Sequence, residues 1–443
     1  MGEWSGAIRR NLAAVVLLSL VTSIGFSAMN LLLPYYLMAL QGLLRELPDT
    51  LPLIPTAYRA AVEIGGLVTA FMAARAAVAY ASGWLSDRLG RRPMILGGAA
   101  LYAATSLLYP HASSVPELFA LRSLQGVASA MTWPVAEALL VDSVPPAVRT
   151  RALSLYVVSF TVGNAGGPLL GGAAYRLART LAQGGPVEVF SASLLLVALL
   201  SLAGVAAAAA VREPAPAGQQ RAGRPRSRMA LPRWVRRGLL GFYLNALLNG
   251  AAVGMVSSVM LVYLMERIVA DPARVGLALA VPGLAGLLVS YPAARVMDRV
   301  GVEVRRLVLA ASIAANRVFM MTLGFTRSLP TFIAAASAMY MAVNIAIPLM
   351  RSLEASMVPS SLRGRVFGIH QAAFNLGMTL GPLLGSLIYE KLHDTALAPG
   401  LTGVELTFIA SGALGLTGVP ILLRLYKPEA AEEQAREAST APR

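Results

Sequence analysis

The chain contains no cysteine, only three histidines, and few charges: 13% of its 443 residues are Asp, Glu, Lys or Arg. Without thiols there is no disulfide, no thiolate metal site and no cysteine nucleophile. His111, His370 and His393 are too few and too scattered to suggest a metal centre. A soluble protein carries about a quarter charged residues, so a large soluble helical core does not fit. Only two of the 37 basic residues are Lys, a bias of composition that carries no function. No nucleic-acid partner is expected, because that needs a basic face interleaved with aromatics on a soluble surface. No Gly-rich phosphate loop ending in Lys occurs, which argues against an ATP-driven pump. No catalytic constellation stands out, so neither an enzyme nor a cofactor is expected.

What the chain has instead is apolar sequence, 56% of it. Runs long enough to cross a bilayer core of about 30 Å recur along it. Hydropathy predicts twelve spans, at 11–40, 60–85, 93–111, 116–141, 152–180, 189–211, 238–265, 274–295, 307–326, 329–355, 366–390 and 404–425. In lipid the backbone must bond to itself, so these are helices. Arg9 and Arg10 precede an apolar run from Leu12 to about Leu40. That is far longer than a signal-peptide core of about 7–15 residues, so the run is expected to stay as the first span.

Charge sets the orientation. Even-numbered connections and both termini, with their helix ends, hold 25 Arg and Lys; odd-numbered connections hold eight, and four lie within spans. The positive-inside rule then puts both termini in the cytoplasm of a cell-membrane protein. The predicted division is a six-helix bundle at 1–211, a basic linker at 212–237, a second bundle at 238–426 and a polar tail at 427–443. The linker has eight arginines and a single acid, Glu213. It reads as a tether that cannot bury a core.

The densest signal is the turn Gly83-Trp84-Leu85-Ser86-Asp87-Arg88-Leu89-Gly90-Arg91-Arg92-Pro93, set between two apolar runs. A weaker copy, Asp298-Arg299-Val300-Gly301, occupies the matching place in the second half at an offset of 211. Elsewhere the halves align at a shift of 214. Pro134, Pro145, Arg149, Gly163, Gly167, Pro168, Gly171 and Pro214 meet Pro348, Pro359, Arg363, Gly377, Gly381, Pro382, Gly385 and Pro428. The run Gly-Pro-Leu-Leu-Gly is identical in spans 5 and 11. A parallel six-plus-six repeat is an architecture of transporters, in which two similar bundles rock about a midplane site.

These features together resemble the major facilitator superfamily over essentially all twelve spans. The turn 83–93 is similar to its signature between helices 2 and 3. Arg122-Ser123-Leu124-Gln125-Gly126 is similar to its helix-4 motif, and Gly163 to Gly172 to the helix-5 motif of drug–proton antiporters. The resemblance implies a conformational latch of Gly83, Asp87, Arg88, Gly90, Arg91, Arg92 and Asp142. In it Asp87 faces the N-terminus of helix 11 and Arg91 pairs with Asp142, holding an outward-open state. The second-half copy has Val302 where Arg91 stands, so the latch is asymmetric. Gly163, Gly167, Pro168, Gly381 and Pro382 are expected as hinge or packing positions.

Ionisable residues inside spans are functional candidates by default. Glu63, Arg122 and Glu137 are the coupling candidates. Counting depth from Asp87 and Asp142 sets Glu63 within about 6 Å of the height of Arg122, and the two are expected to pair. Glu63 could equally sit in the outer loop, and Glu137 could belong to the latch. Arg75 and Arg317 lie near mid-membrane without a carboxylate at their depth. They could bond carbonyls or an anionic substrate group, and Arg317 has no clear role. Polar and aromatic stripes on helices 1, 4, 7 and 10 contribute cavity candidates: Ser23, Phe26, Asn30, Trp133, Asn245, Asn249, Tyr263, Tyr340 and Asn344; Arg75 of helix 2 is another. For any one Asn or Ser, interhelical hydrogen bonding is the simpler role.

The expectation is a monomeric secondary transporter with a small-molecule substrate, protons and the bilayer as its partners. It would export an amphipathic molecule. The alternatives are a symporter or facilitator for a sugar, organic anion or lysolipid, and a sensor or enzyme on the same scaffold.

Overall fold

The computed structural model describes residues 6–145, 148–213, 232–297, 299–358 and 360–425. Asp298, Pro359, Pro214, Pro428, linker residues 214–231 and the tail 427–443 lie outside the described residues. The chain is almost wholly helical. Its helices are α1 (Gly6–Leu40), α2 (Ala61–Leu89), α3 (Arg91–Leu108), α4 (Val115–Ser143), α5 (Arg149–Leu181), α6 (Pro186–Ala210) and α7 (Arg233–Arg267). They continue with α8 (Pro272–Met297), α9 (Val302–Leu323), α10 (Leu329–Ser356), α11 (Ser360–Lys391), α12 (Gly403–Leu416) and α13 (Gly418–Leu425). Among the described residues, eleven segments are long and apolar enough to cross a membrane, with α12 and α13 counted as one. The remaining one of the twelve expected is α3, whose 18 residues open on Arg91 and Arg92. The last crossing is interrupted at Thr417, where α12 ends and α13 begins.

Two compact units emerge. One holds the described residues of Met1–Pro225 together with Leu261–Ala280; the other holds those of Arg226–Met260 and Val281–Arg443. The end of α7 and the start of α8 therefore pack with the first unit. There Tyr35 donates to the Ala270 carbonyl at 2.7 Å, and the Ile54 N–H donates to Met265 O at 2.8 Å. Asp271 lies 3.6 Å from Arg176.

Helices in lipid gain nothing from leaving water, so close packing of small residues must hold them together. Each unit does this with one glycine seam. In the first, Gly163, Gly167 and Gly171 of α5 abut α1 at Leu20–Ser23, Ile24–Ser27 and Ala28. In the second, Gly377, Gly381 and Gly385 of α11 abut α7 at Leu247–Ala251, Ala251–Gly254 and Met255. A Cβ at Gly163 would come within 2.8 Å of the Leu20 carbonyl. Pro168 cannot donate to the carbonyl four residues back, at Asn164. Ser27 Oγ donates to that carbonyl at 2.8 Å instead. The positions expected as hinge or packing sites thus lie in close helix contacts of each unit. Around the seams, the first unit packs Leu18, Ile95, Leu139 and Leu140 into a core, and the second packs Phe242, Leu309, Leu349 and Leu422.

Candidate functional site

The α2–α3 turn is built around Gly90, whose φ of 99° favours glycine and which ends one helix and begins the next. The Glu213 carboxylate accepts the Arg91 N–H at 2.8 Å and the Arg92 N–H at 2.7 Å. An anion at a helix N-terminus meets unpaired N–H groups and the positive end of the dipole. Any Cβ at Gly90 would press on that carboxylate, 3.2 Å away. Arg91 is the hub of the turn. Its Nε donates to Asp142 Oδ2 at 2.9 Å, its Nη1 donates to Ser86 Oγ at 3.0 Å, and Asp87 lies 3.3 Å from its Nη2. Arg88 stacks on Trp84, 3.9 Å from the ring centroid. Gly83, by contrast, has no atom of the described residues within 4 Å of where its Cβ would stand.

A second cluster lies deep in the first unit. Arg122 is 2% exposed. It donates to Gln125 Oε1 at 2.6 Å and to Asn30 Oδ1, and its guanidinium lies 5.2 Å from the Phe26 ring and 5.1 Å from Phe71. Tyr109 donates to the same Gln125 oxygen at 3.2 Å. Phe26 meets Trp133 edge-on at 5.6 Å, and Arg75 lies 5.0 Å from the Trp133 ring. Gly126 lets α4 approach the Phe71 carbonyl of α2. The expected Glu63–Arg122 pair does not form. Arg122 bonds to amides and lies against ring faces, with its Nε buried and unbonded, and Glu63 Oε2 is likewise buried without a hydrogen bond. Counting along helices gives height but not the direction in which a side chain points. Glu137 is exposed on α4. Ser23 is fully buried beneath Gly163 in the α1–α5 seam, and Tyr263 is fully buried in the α7 end that packs with this unit.

The second unit holds a cavity of about 260 Å³ among α7, α9, α10 and α11. Of the residues expected to line a cavity, Asn249 and Tyr340 do so; Asn245 and Asn344 do not. Asn245 is fully buried, with its amide 3.8 Å from Met350 Sδ. Asn344 donates to the Tyr340 carbonyl one turn back at 2.9 Å. Arg317 also lines the cavity, which gives a setting to a side chain that had none in the sequence.

A pair that the sequence reading missed stands beside this cavity. Glu354 is fully buried, and His370, which lines the cavity, lies with Nδ1 2.5 Å from Glu354 Oε1. Glu354 Oε2 makes no hydrogen bond, and Arg351 Nη1 lies 3.9 Å from it. At the repeat offset of 214 the first unit has Leu140 and Tyr156 at these places. An acid in one half where its repeat carries leucine is the signal that could have found the pair.

Among the described residues no group of three or more His, Cys, Asp or Glu side chains could hold a metal. The Major Facilitator Superfamily model matches residues 15–246 and again 242–443. The multidrug efflux pump LfrA of Mycolicibacterium smegmatis is 37% identical over 145 residues, which are 32% of this chain and 28% of that pump. The multidrug export protein EmrB of Escherichia coli is 32% identical over 106 residues, 24% of this chain and 21% of that protein. These stretches thus span less than a third of either relative. Among solved structures, a bacterial homologue of the human lysosomal transporter Spinster superposes with a TM-score of 0.69 at 14% identity, covering 96% of both chains. The nucleoside transporter NupG superposes with a TM-score of 0.65 at 11% identity, covering 94% of this chain and 99% of that one. At such identities the structures speak for the fold alone, whereas the family model accounts for both halves: the chain belongs to the Major Facilitator Superfamily.

Proposed function

We propose that the protein is a monomeric secondary transporter of the plasma membrane that exports an amphipathic small molecule in exchange for protons, by alternating access. The cavity of the second unit carries this reading. Its wall includes Met260, Met320, Met339 and Met350 beside Asn249, Asn316, Tyr340 and Arg317. Methionines give a deformable apolar surface suited to varied ligands, and a few polar groups orient what binds. Relatives named as multidrug efflux pumps favour export over uptake. Proton exchange is proposed at Glu354–His370, a buried acid–base pair at the cavity edge beside Arg351, which in turn donates to Gln371. The turn at Arg91, gathering Asp87, Asp142 and Ser86, is proposed as the latch.

The test is dye efflux from reconstituted vesicles under pH gradients of either sign. Gradient-driven export against the proton flow is expected. Movement down the dye gradient regardless of pH would instead make the protein a facilitator, and movement with the protons a symporter. Glu354→Gln should reduce gradient-driven flux about tenfold or more, as for removal of an acid–base group, while dye counterflow persists. An unchanged pH profile would return coupling to Glu63, Arg122 or Glu137. Asp87→Asn should impair flux and leave the protein folded.

A further inference from the structure

Arg317 sits two-thirds of the way along α9 and is 2% exposed. Its guanidinium has modest company. Nη2 donates to Asn249 Oδ1, Nη1 lies 3.3 Å from Met320 Sδ, and Nε is buried without a partner. A thioether is a weak acceptor, so most of the N–H donors of this cation are unspent.

No acid among the described residues of the unit lies against it. Among the described residues of the second unit every carboxylate already lies against another basic side chain. Glu303 faces Arg306, Glu354 faces His370, Glu390 faces Lys391, Asp394 faces His393 and Glu405 faces Arg327. An ionised group held in an apolar interior without an opposite charge is costly.

The surroundings are nevertheless shaped to hold it. A Cβ at Gly415 of α12 would come within 2.6 Å of Arg317 Cδ and Nε, and one at Gly412 within 2.8 Å of its carbonyl oxygen. The helix behind therefore omits side chains where the arginine runs. In front of it is the cavity, whose wall continues through Met339, Ile347, Met350 and Phe374. Asn249 gives its amide oxygen to Arg317, which leaves its N–H donors over.

We propose that this cavity is a binding site for an amphipathic organic anion. A carboxylate, sulfonate or phosphate head bonds to Arg317 and Asn249, and an apolar body lies along the methionines and Phe374. A ligand anion would supply the charge that the chain withholds, and guanidinium suits planar or tetrahedral oxyanions through paired N–H donors. The inference deepens the transport reading by naming a substrate class, and it rests on that reading only for the step from binding to movement.

The experiment measures binding without transport. Purified protein in phosphatidylcholine nanodiscs is titrated with 1-anilinonaphthalene-8-sulfonate and, separately, with N-phenyl-1-naphthylamine, which has the same rings without the charge. Empty nanodiscs give the background. Saturable protein-dependent binding of the sulfonate is expected, weakened about tenfold or more by Arg317→Gln, as for loss of a charge-assisted hydrogen bond. Binding of the neutral amine should not change. Arg317→Lys should restore part of the sulfonate affinity. Asn249→Ala should weaken the sulfonate selectively, and it decides the matter if Arg317→Gln does not fold. Nanodiscs containing phosphatidylglycerol separate two sources of the anion: competition identifies a lipid head, and unchanged affinity a free organic anion. Equal binding of the two dyes to wild type, or sulfonate binding indifferent to both Arg317→Gln and Asn249→Ala, overturns the proposal. Sulfonate binding at Arg317 without dye flux in vesicles would sink the transport reading and leave this one standing. Flux of the sulfonate indifferent to Arg317→Gln would do the reverse.

Discussion

Each repeat buries an arginine with no carboxylate of the described residues in contact and with its Nε unbonded, but the rest of their surroundings differ. Arg122 of the first unit is enclosed by Phe26 and Phe71 and bonded to the amides of Asn30 and Gln125. Arg317 of the second rests on one amide and a thioether, and it borders a cavity. Nor are they repeat equivalents: at the offset of 214, Arg122 meets Ala336 on α10, whereas Arg317 lies on α9. The same asymmetry separates Leu140 and Tyr156 from Glu354 and His370. Tyr156 bonds the Trp133 carbonyl at 3.2 Å and stays structural, while His370 meets an acid. A duplicated scaffold thus keeps its glycine seams in register and lets its ionisable groups diverge. The seams are what both halves need to stand, and the charges are where they can specialise.

The largest effect should come from breaking what the units share. Gly381→Leu and Gly167→Leu each push a side chain into the backbone of the facing helix. Overpacking against backbone should cost about 3 kcal/mol or more, and neither variant should give monodisperse protein on size exclusion. If one does and the other does not, the seams are not equivalent. The next effect sharpens the contrast between the arginines. Arg122→Gln gives up charge-assisted bonds and two ring contacts, and should lower stability by about 1.5–3 kcal/mol. Arg317→Gln removes a charge with no counter-charge and should stay within about 1 kcal/mol of wild type, or gain. Thermal unfolding in one detergent compares them, and equal losses would erase the distinction. The smallest effect is expected at Gly166, beside Gly167 but with nothing within 4 Å of its Cβ position. Gly166→Ala should raise stability by no more than about 1 kcal/mol, through helix propensity alone.

The crossings, the repeat and the α2–α3 turn were legible because each depends on pattern along the chain. Hydropathy marks length, the 214-residue shift marks duplication, and Gly90 with its flanking charges marks a tight turn. The pairing of Arg91 with Asp142 was implied by the family resemblance, and the two do meet at the ends of their helices. Deep groups were harder. Counting set Glu63 within about 6 Å of the height of Arg122, but α2 meets α4 with Gly66 against Phe119, and Asn30 and Gln125 take the hydrogen bonds of the guanidinium. Glu354 and His370 are 16 residues apart, across the connection between α10 and α11, a spacing that belongs to no local motif. Arg317 acquires meaning only from Gly415 behind it and the cavity before it, neither visible until the helices are packed.

The α1–α5 and α7–α11 seams set a limit on how this protein can move. Where glycines rest against carbonyls at three successive turns, sliding a helix along its partner would have to break all three contacts at once. Each pair is therefore a single girder, and any large displacement must be carried as the swing of whole girders rather than as slippage within them.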